Sequence, residues 1–598
     1  MMADPRTLND LFQLAVERFG SKPAALRYKQ AGRWLTLTHA ELRDRVLHAS
    51  IGFRELGLAA GDRVAILSEN RPEWAIADYA CLMMRAADVP LYPTLPPKHV
   101  EYILRDSGAA AICVSSVAQL AKIREIRPSL PALRSVITFD REASGPDVLP
   151  FTEVISCGRK ALPRYPDWQI EASRVEPNDL ATIIYTSGTT GDPKGVMLTH
   201  GNITSNVVSA LTAFTIDGSD DTLSFLPLSH IFERMAGHYL MLYAGATIAY
   251  ATNADTVAGE MSEVRPTVMT AVPRFYEKIF GRVLDNALSG SPLKRRIFFW
   301  ARQRGEAWVE YVLAKRPVPP TLALQRRLAD RLVFRKLRQR TGGRLRFFIS
   351  GGAPLNPDIA KFFHAAGLPI LEGYGLTETS PVIAVNTFKN VKLGTVGRPI
   401  PGVEVKIAED GEILTRGPHV MIGYYNKPDA TRQAIDEGGW FHTGDIGVLD
   451  GDGMLRITDR KKDLIVTAGG KNIAPQPIEN MVKAGKFVLN AVMLGDRRKF
   501  PIMVVVPNLT ALKAWAAHKK LLAPDDASLL RLHEVEAKME REVRKTLRDL
   551  AQYEMPKKLL LIPTDFSIEG GELTPTMKVK RRVVERRYIT EIEKLYAE

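Results

Sequence analysis

With 598 residues, 45% hydrophobic and 25% charged, the chain has a soluble globular protein's composition and length enough for about three or four compact units around a large core. Its three cysteines, Cys81, Cys113 and Cys157, are odd in number and form no CxxC pair, which argues against a disulfide framework and a zinc site. Of the net charge of +14, residues 294–346 carry +13, sixteen Lys/Arg against Glu306, Glu310 and Asp330, so the basicity is local and speaks against a nucleic-acid-binding protein.

No early segment has the order of a signal peptide, and the longest nearly uncharged apolar stretch, 239–251, is shorter than the ~20 residues that span a bilayer, so a cytoplasmic protein is expected. To about residue 178, amphipathic helical patterns at 8–19, 40–56 and 74–84 alternate with short apolar runs such as 64–67. Such alternation implies a layered α/β sheet. An apolar run at 180–184 reads as a buried strand and opens into Tyr-Thr-Ser-Gly-Thr-Thr-Gly-Asp-Pro-Lys-Gly-Val, residues 185–196. Glycines, Gly188 among them, let backbone N–H groups converge, the hydroxyls of Thr186, Ser187, Thr189 and Thr190 donate further bonds, and Lys194 adds a full charge. Together they suit a polyphosphate. The loop is not a Walker A motif, which ends in Gly-Lys-Ser/Thr and opens directly into a helix, because Pro193 precedes Lys194 and Gly195 follows it.

Thr199 to Asn202 offers N-cap residues for a helix running to about Phe214, and a strand at 222–226 leads into Pro227-Leu228-Ser229-His230. His230 stands after a strand end, where sites in α/β sheets collect, and is weighed equally against a structural histidine. Between Pro292 and Gly342 two basic helical stretches are separated by Pro317, Pro319 and Pro320. The first sets Ile297, Trp300, Trp308 and Tyr311 near one face, the second Leu324, Leu328 and Leu332. Two readings stand side by side, a membrane-surface patch and a solvated basic face packed on the body by its apolar stripe.

A strand at 345–348 ends in Ser350-Gly351-Gly352-Ala353-Pro354, and soon after come Glu372-Gly373-Tyr374-Gly375-Leu376-Thr377-Glu378. These stretches join permissive backbone to an aromatic plate for a planar base (Tyr374), a hydroxyl for a phosphate (Thr377) and a carboxylate for Mg²⁺, a hard cation that prefers oxygen (Glu378). From 394 to about 459, short alternating runs broken by Gly and Pro read as a small antiparallel, barrel-like unit, within which Asp445 suits a pair of ribose hydroxyls. The charge run 459–463 reads as a linker, followed by the glycine loop Ala468-Gly469-Gly470-Lys471-Asn472 and a further unit with strands at 491–494 and 502–506. A charged helix there has Leu532, Val535, Met539 and Val543 on one side, and by itself Lys578 reads as surface.

With these parts in order the chain resembles the adenylate-forming, AMP-binding superfamily, and within it the bacterial long-chain fatty acid–CoA ligases. The likeness covers nearly the whole length and rests on YTSGTTGDPKGVMLTHGN, FLPLSH, SGGAPL, EGYGLTETS, GTVGRPIPG, WFHTGDIG, DRKKDLIVTAGGKNI and LTPTMKVKRR. It implies an α/β fold: a large N-terminal body, 1–459, of two αβα layers (1–178 and 179–393) and a small β-barrel (394–459), a hinge at 460–463 and a mobile α+β domain, 464–598.

The resemblance also implies that Thr186, Ser187, Thr189 and Lys194 meet the β- and γ-phosphates of ATP, with Gly188 and Thr190 in the same loop. Ser350 to Pro354 and Glu372 to Tyr374, with Gly375 beside them, would form the adenine slot. Thr377 would touch the α-phosphate, Glu378 the Mg²⁺, Asp445 the ribose, Arg460 the ribose or phosphate, and His230 the acyl carboxylate. Lys578 would reach in from the C-terminal domain, Lys462 would be the hinge residue, and rotation there would bring Gly469, Gly470 and Lys471 beside the path of CoA. Asp459 stands where many members have glycine, and Thr576-Met577-Lys578 where many read Ser-Gly-Lys.

The expected partners are a fatty acid and CoA, with association of 294–346 at the inner face of an anionic membrane as a further expectation and no nucleic acid. The oligomeric state is left open, a homodimer included. The rival activity is a fatty acyl-AMP ligase that hands its adenylate to an acyl carrier protein. A rival of another class is a basic membrane- or nucleic-acid-binding protein that uses a nucleotide as a switch.

Overall fold

A computed structural model describes residues 4–186, 192–468, 471–548, 550–567, 570–574 and 579–597. Two large sheets form the body. The eight-stranded sheet runs Gly423–Tyr424, Lys194–Thr199, Leu180–Thr186, Ala87–Leu91, Arg63–Leu67, Ala111–Val114, Ser135–Thr138, Leu149–Pro150. Its six strands from Leu180–Thr186 onward are parallel, and the first two are antiparallel additions. Arg63–Leu67 and Ala87–Leu91 are apolar almost throughout and buried, as parallel strands covered on both faces must be.

The nine-stranded sheet is parallel across six strands, Ile370–Gly375, Phe347–Ser350, Val268–Ala271, Asp221–Ser224, Thr247–Tyr250 and Leu26–Gln30, with antiparallel strands at both edges. The expected ranges 1–178 and 179–393 therefore cut across the two sheets. The hairpin Leu26–Gln30 and Arg33–Leu37 belongs to the nine-stranded sheet, and Leu180–Thr186 and Lys194–Thr199 complete the eight-stranded one. Pairing partners more than two hundred residues away, such as Leu26 with Ile248, leave no local signal in sequence.

Hydroxyl caps open three of the helices. Thr7, Thr38 and Thr199 each accept from the third helical N–H while Asp10, Glu41 and Asn202 reach back to the cap, in helices Leu8–Phe19, His39–Glu55 and His200–Leu211. Each such cap contributes about 1 kcal/mol. Cys81 and Cys113 are buried core residues and Cys157 is exposed.

The basic helices depart from the expected stripes. In Pro292–Leu313 the buried positions are Phe298, Ala301, Gly305 and Val309, and Trp300 and Trp308 only flank the core. Periodicity favoured the large rings, whereas the seam needs small residues: a Cβ on Gly305 would lie 2.8 Å from the Phe334 ring and 2.9 Å from the Ala365 methyl. In the second stretch Leu322, Ala329, Phe334 and Leu337 are buried, while Leu324, Leu328 and Leu332 stand 68%, 50% and 41% exposed.

The strands Glu404–Ile407, Glu412–Arg416, Phe441–Leu449 and Leu455–Arg460 make a four-stranded antiparallel sheet. Beyond it, Val488–Leu494, Ile502–Pro507 and Leu559–Leu561 form a three-stranded sheet, and Val535, Met539 and Val543 of helix His533–Thr546 join its core. Among the described residues no helix is long and apolar enough to cross a membrane.

Candidate active site

The strands Leu180–Thr186 and Lys194–Thr199, which flank the hydroxyl-rich segment, pair antiparallel. Thr186 and Lys194 face each other, and the Thr186 Oγ1 donates to the Lys194 carbonyl at 3.5 Å. Ser187, Gly188, Thr189 and Thr190 lie outside the described residues.

Gly423–Tyr424 pairs onto the second hairpin strand, Tyr424 opposite Val196, which puts the Lys194 ammonium 4.8 Å from the centre of the Tyr424 ring. The Tyr424 hydroxyl donates to Glu378 Oε1 at 3.0 Å. Tyr424 thus joins Lys194, expected to meet phosphates, to Glu378, the carboxylate expected for Mg²⁺. It carried no sequence signal beyond a glycine–aromatic pair, because the strand pairing that gives it this place spans more than two hundred residues. Burial pushes the Glu378 carboxyl above the ordinary range, opposed by its backbone and Tyr424 hydrogen bonds and by Arg460.

Glu378 and Thr377 lie in a 3₁₀ turn, Thr377–Thr379, directly after strand Ile370–Gly375. That strand carries Glu372, Gly373, Tyr374 and Gly375 and lies parallel to Phe347–Ser350, with Ser350 opposite Glu372. Gly351 through Pro354 therefore leave the sheet beside Glu372. Gly375 must be glycine, since a Cβ there would sit 1.6 Å from the Pro381 carbonyl oxygen. Gly352 has φ +84°, the left-handed region, and with Ala353 and Pro354 it is exposed. Burial raises the Glu372 carboxyl to about 8, against a backbone hydrogen bond from Leu355.

Tyr374 donates to Asp445 Oδ2 at 2.7 Å, and Arg460 Nε lies 3.2 Å from Asp445 Oδ1. Asp445 and Arg460 are directly paired residues of Phe441–Leu449 and Leu455–Arg460, so antiparallel register places the ion pair. The structure thus brings Tyr374, Asp445 and Arg460 into one group, and Thr186, Lys194 and Glu378 into another linked by Tyr424.

His230 stands in the turn that follows strand Asp221–Ser224. Its Nδ1 accepts the Phe232 N–H at 3.1 Å, which assigns the ring proton to Nε2. The Phe232 ring lies against Gly351, where a Cβ would approach it to 3.1 Å, so the histidine turn packs on the segment that begins the expected adenine slot. A π-helix, Glu233–Tyr239, follows at once. Local π geometry often accompanies functional sites.

At the linker Lys461 pairs with Asp410 and Glu412, at 2.6 and 2.9 Å, while Lys462 is exposed. Asp459, the departure from glycine, is buried and accepts the Gln476 N–H at 3.2 Å. Its carboxylate therefore meets the first turn of helix Pro475–Lys483 in the C-terminal unit, and burial raises it to about 6. Ile465–Val466 pairs antiparallel with Asn472–Ile473, and the Lys471 ammonium lies 5.9 Å from the centre of the Tyr553 ring. Gly469, Gly470 and Lys578 lie outside the described residues.

Comparison with known proteins supplies the class. Residues 12–425 match the model of the AMP-binding enzyme family, and 462–598 match its C-terminal domain. The chain belongs to the AMP-binding enzyme family. It is 37% identical to the long-chain-fatty-acid–CoA ligase FadD15 of Mycobacterium bovis, covering 94% of this chain and 93% of that one. It is 34% identical to the peroxisomal long chain acyl-CoA synthetase 6 of Arabidopsis thaliana, covering 100% and 87%. Among solved structures it is similar to the anthranilate CoA ligase AuaEII in complex with anthranoyl-AMP, with a TM-score of 0.73 at 20% identity over 98% of both chains. It is also similar to the adenylation domain of a Mycobacterium chelonae carboxylate reductase, with a TM-score of 0.75 at 22% identity over 100% and 92%. The fold is that of adenylate-forming enzymes, a large α/β body with a smaller C-terminal domain.

Proposed function

We propose that this chain is an ATP-dependent long-chain fatty acid–CoA ligase. The observation that carries the reading is the pair of groups Lys194–Tyr424–Glu378 and Tyr374–Asp445–Arg460, with the charges of Arg460 and Asp445 felt at Glu378, in a chain that matches long-chain-fatty-acid–CoA ligases over nearly its whole length. In the first step the fatty acid carboxylate attacks the α-phosphorus of ATP and pyrophosphate leaves. In the second the CoA thiol attacks the acyl carbon of the adenylate, its proton is lost and AMP leaves.

The residues divide this work. The hairpin, through Thr186 and Lys194 with Ser187, Thr189 and Thr190, takes the β- and γ-phosphates. Tyr374 stacks on the adenine that Gly351 to Pro354 and Glu372 enclose, and Asp445 with Arg460 holds the ribose. His230 donates from Nε2 to the acyl carboxylate, and Thr377 binds the α-phosphate. Glu378, a hard oxygen donor that the Tyr424 hydroxyl already steadies, would hold Mg²⁺. When bound, Mg²⁺ would offset the negative charge that gathers on the phosphates. Lys578 adds a cation at the α-phosphate during the first step. Rotation about Lys462 withdraws it for the second and brings Gly469, Gly470 and Lys471 toward CoA.

Pyrophosphate exchange tests the first step. Labelled pyrophosphate should enter ATP only when palmitate is present, and palmitate-independent exchange, or none, would remove the assignment.

A second surface carries a separate reading. Leu324, Leu328 and Leu332 stand exposed among the exposed cations Arg327, Arg331, Arg335 and Lys336, which supports docking of 294–346 on an anionic membrane where the acid substrate resides.

A further inference from the structure

The turn that carries His230 leaves one sheet and is fastened to the other. It follows strand Asp221–Ser224 of the nine-stranded sheet, yet its backbone is held by Asn70, which follows strand Arg63–Leu67 of the eight-stranded sheet. The Asn70 amide Nδ2 donates to the Leu226 carbonyl at 2.7 Å and to Ser224 Oγ at 3.2 Å, and its Oδ1 accepts the Leu228 N–H at 2.9 Å. One side-chain amide thus serves a carbonyl and an N–H two residues apart, as a neighbouring strand would. Ser229 adds a bond from its hydroxyl to the Leu91 carbonyl, at 2.9 Å.

Beyond His230 the chain is tied to the same sheet again. The Arg234 guanidinium is fully buried and bonds Asp78, Asp88 and Thr182, with Tyr239 completing the group. Thr182 lies on the strand that leads into the phosphate hairpin. His230 is therefore held from both sides, by Asn70 and Ser229 before it and Arg234 after it. The Arg234 group is a buried charge network whose loss endangers folding. Asn70 is half-buried and small, and its exchange alters hydrogen bonds with little change of volume.

We infer that Asn70 is a positioning residue for the adenylation step: by clamping Leu226 and Leu228 it sets where the His230 imidazole stands against the acyl carboxylate. The inference rests on the role given to His230 above. Displacement of a reacting group by about 1 Å costs on the order of 10²-fold in rate, so a loosened turn should be felt in kcat.

The test is a double-mutant cycle on palmitate-dependent pyrophosphate exchange. Asn70→Asp keeps the shape and the acceptor but sets an oxygen against the Leu226 carbonyl, and Asn70→Ser removes the amide without that repulsion. Either should lower kcat by roughly 10- to 100-fold with the KM for ATP within about twofold, because the ATP contacts lie elsewhere. In a His230→Ala background the same exchanges should cost less than about twofold more. Equal losses in both backgrounds would show a general structural role and overturn the inference, as would full activity of Asn70→Ser. Full exchange by His230→Ala alone would instead overturn the role of His230, and with it the basis for a positioning residue.

Discussion

Replacing Tyr424 with phenylalanine removes one hydroxyl and leaves the ring beside the Lys194 ammonium, so it isolates the bond to Glu378. A hydrogen bond to a charged acceptor contributes roughly 1.5–3 kcal/mol, which corresponds to about a 10- to 150-fold loss wherever the Glu378 carboxylate must be charged and in place. The sign on pH follows from the same contact. Burial raises the Glu378 pKa and the Tyr424 hydroxyl lowers it, so losing the hydroxyl raises it further and moves the acid limb of the adenylation profile to higher pH. The assay is palmitate-dependent pyrophosphate exchange measured across pH and across Mg²⁺ concentration. Tyr424→Phe should need more Mg²⁺ and fail earlier on acidification, and Tyr424→Leu, which also removes the ring from Lys194, should bind ATP more weakly as well. A Tyr424→Phe enzyme with an unchanged Mg²⁺ requirement and pH profile would refute the link between the hairpin lysine and the metal carboxylate.

Lys578→Ala should lower adenylation by ~10²-fold or more, the scale of one lost transition-state donor, and largely spare thioester formation from supplied acyl-adenylate; equal loss in both steps would count against a hinge. Lys462→Pro should do the reverse, keeping pyrophosphate exchange and impairing the CoA step, and uniform loss would contradict it. Glu372 has a folded pKa raised from 4.5 to about 8, so its stabilising share is complete below the unfolded pKa and lost as pH climbs through 8, at up to ~1.4 kcal/mol per pH unit. Thermal unfolding of Glu372→Gln should lack that slope between pH 5 and 8, and parallel curves for the two proteins would refute the assignment. Leu324→Asp with Leu328→Asp should weaken binding to phosphatidylserine vesicles, and added salt should weaken the parent's binding in turn, while salt-insensitive binding would remove the membrane reading.

Elements whose signal is local were legible in the sequence. The cap at Thr199, the amphipathic helices at 8–19 and 40–56 and the short apolar strands at 64–67 and 180–184 follow from hydroxyl placement and hydrophobic periodicity. Tyr374 stood out as an aromatic plate, whereas Asp445 gave a weak signal by itself and Arg460 took its role from the family resemblance; antiparallel register pairs Asp445 with Arg460, and Tyr374 donates to Asp445 from another sheet. What the residues did not announce is long-range pairing. Tyr424 meets Lys194 and Glu378 only because its two-residue strand pairs onto the hairpin edge, and Asn70 meets the backbone of the His230 turn only because two sheets come together there. The leucines at 324, 328 and 332 keep their helical period, but the core takes Leu322, Ala329 and Phe334 and leaves these three exposed, against the reading in which their stripe packs on the body.

Thioester formation puts the central claim most directly to the test. The protein is incubated with ATP, Mg²⁺ and palmitate, with and without CoA, and AMP and palmitoyl-CoA are measured together. A CoA ligase should release AMP in step with palmitoyl-CoA when CoA is present and hold its acyl-adenylate when it is absent. Adenylate formation that CoA leaves unresolved, and that an acyl carrier protein discharges, would contradict the assignment and favour an acyl-AMP ligase.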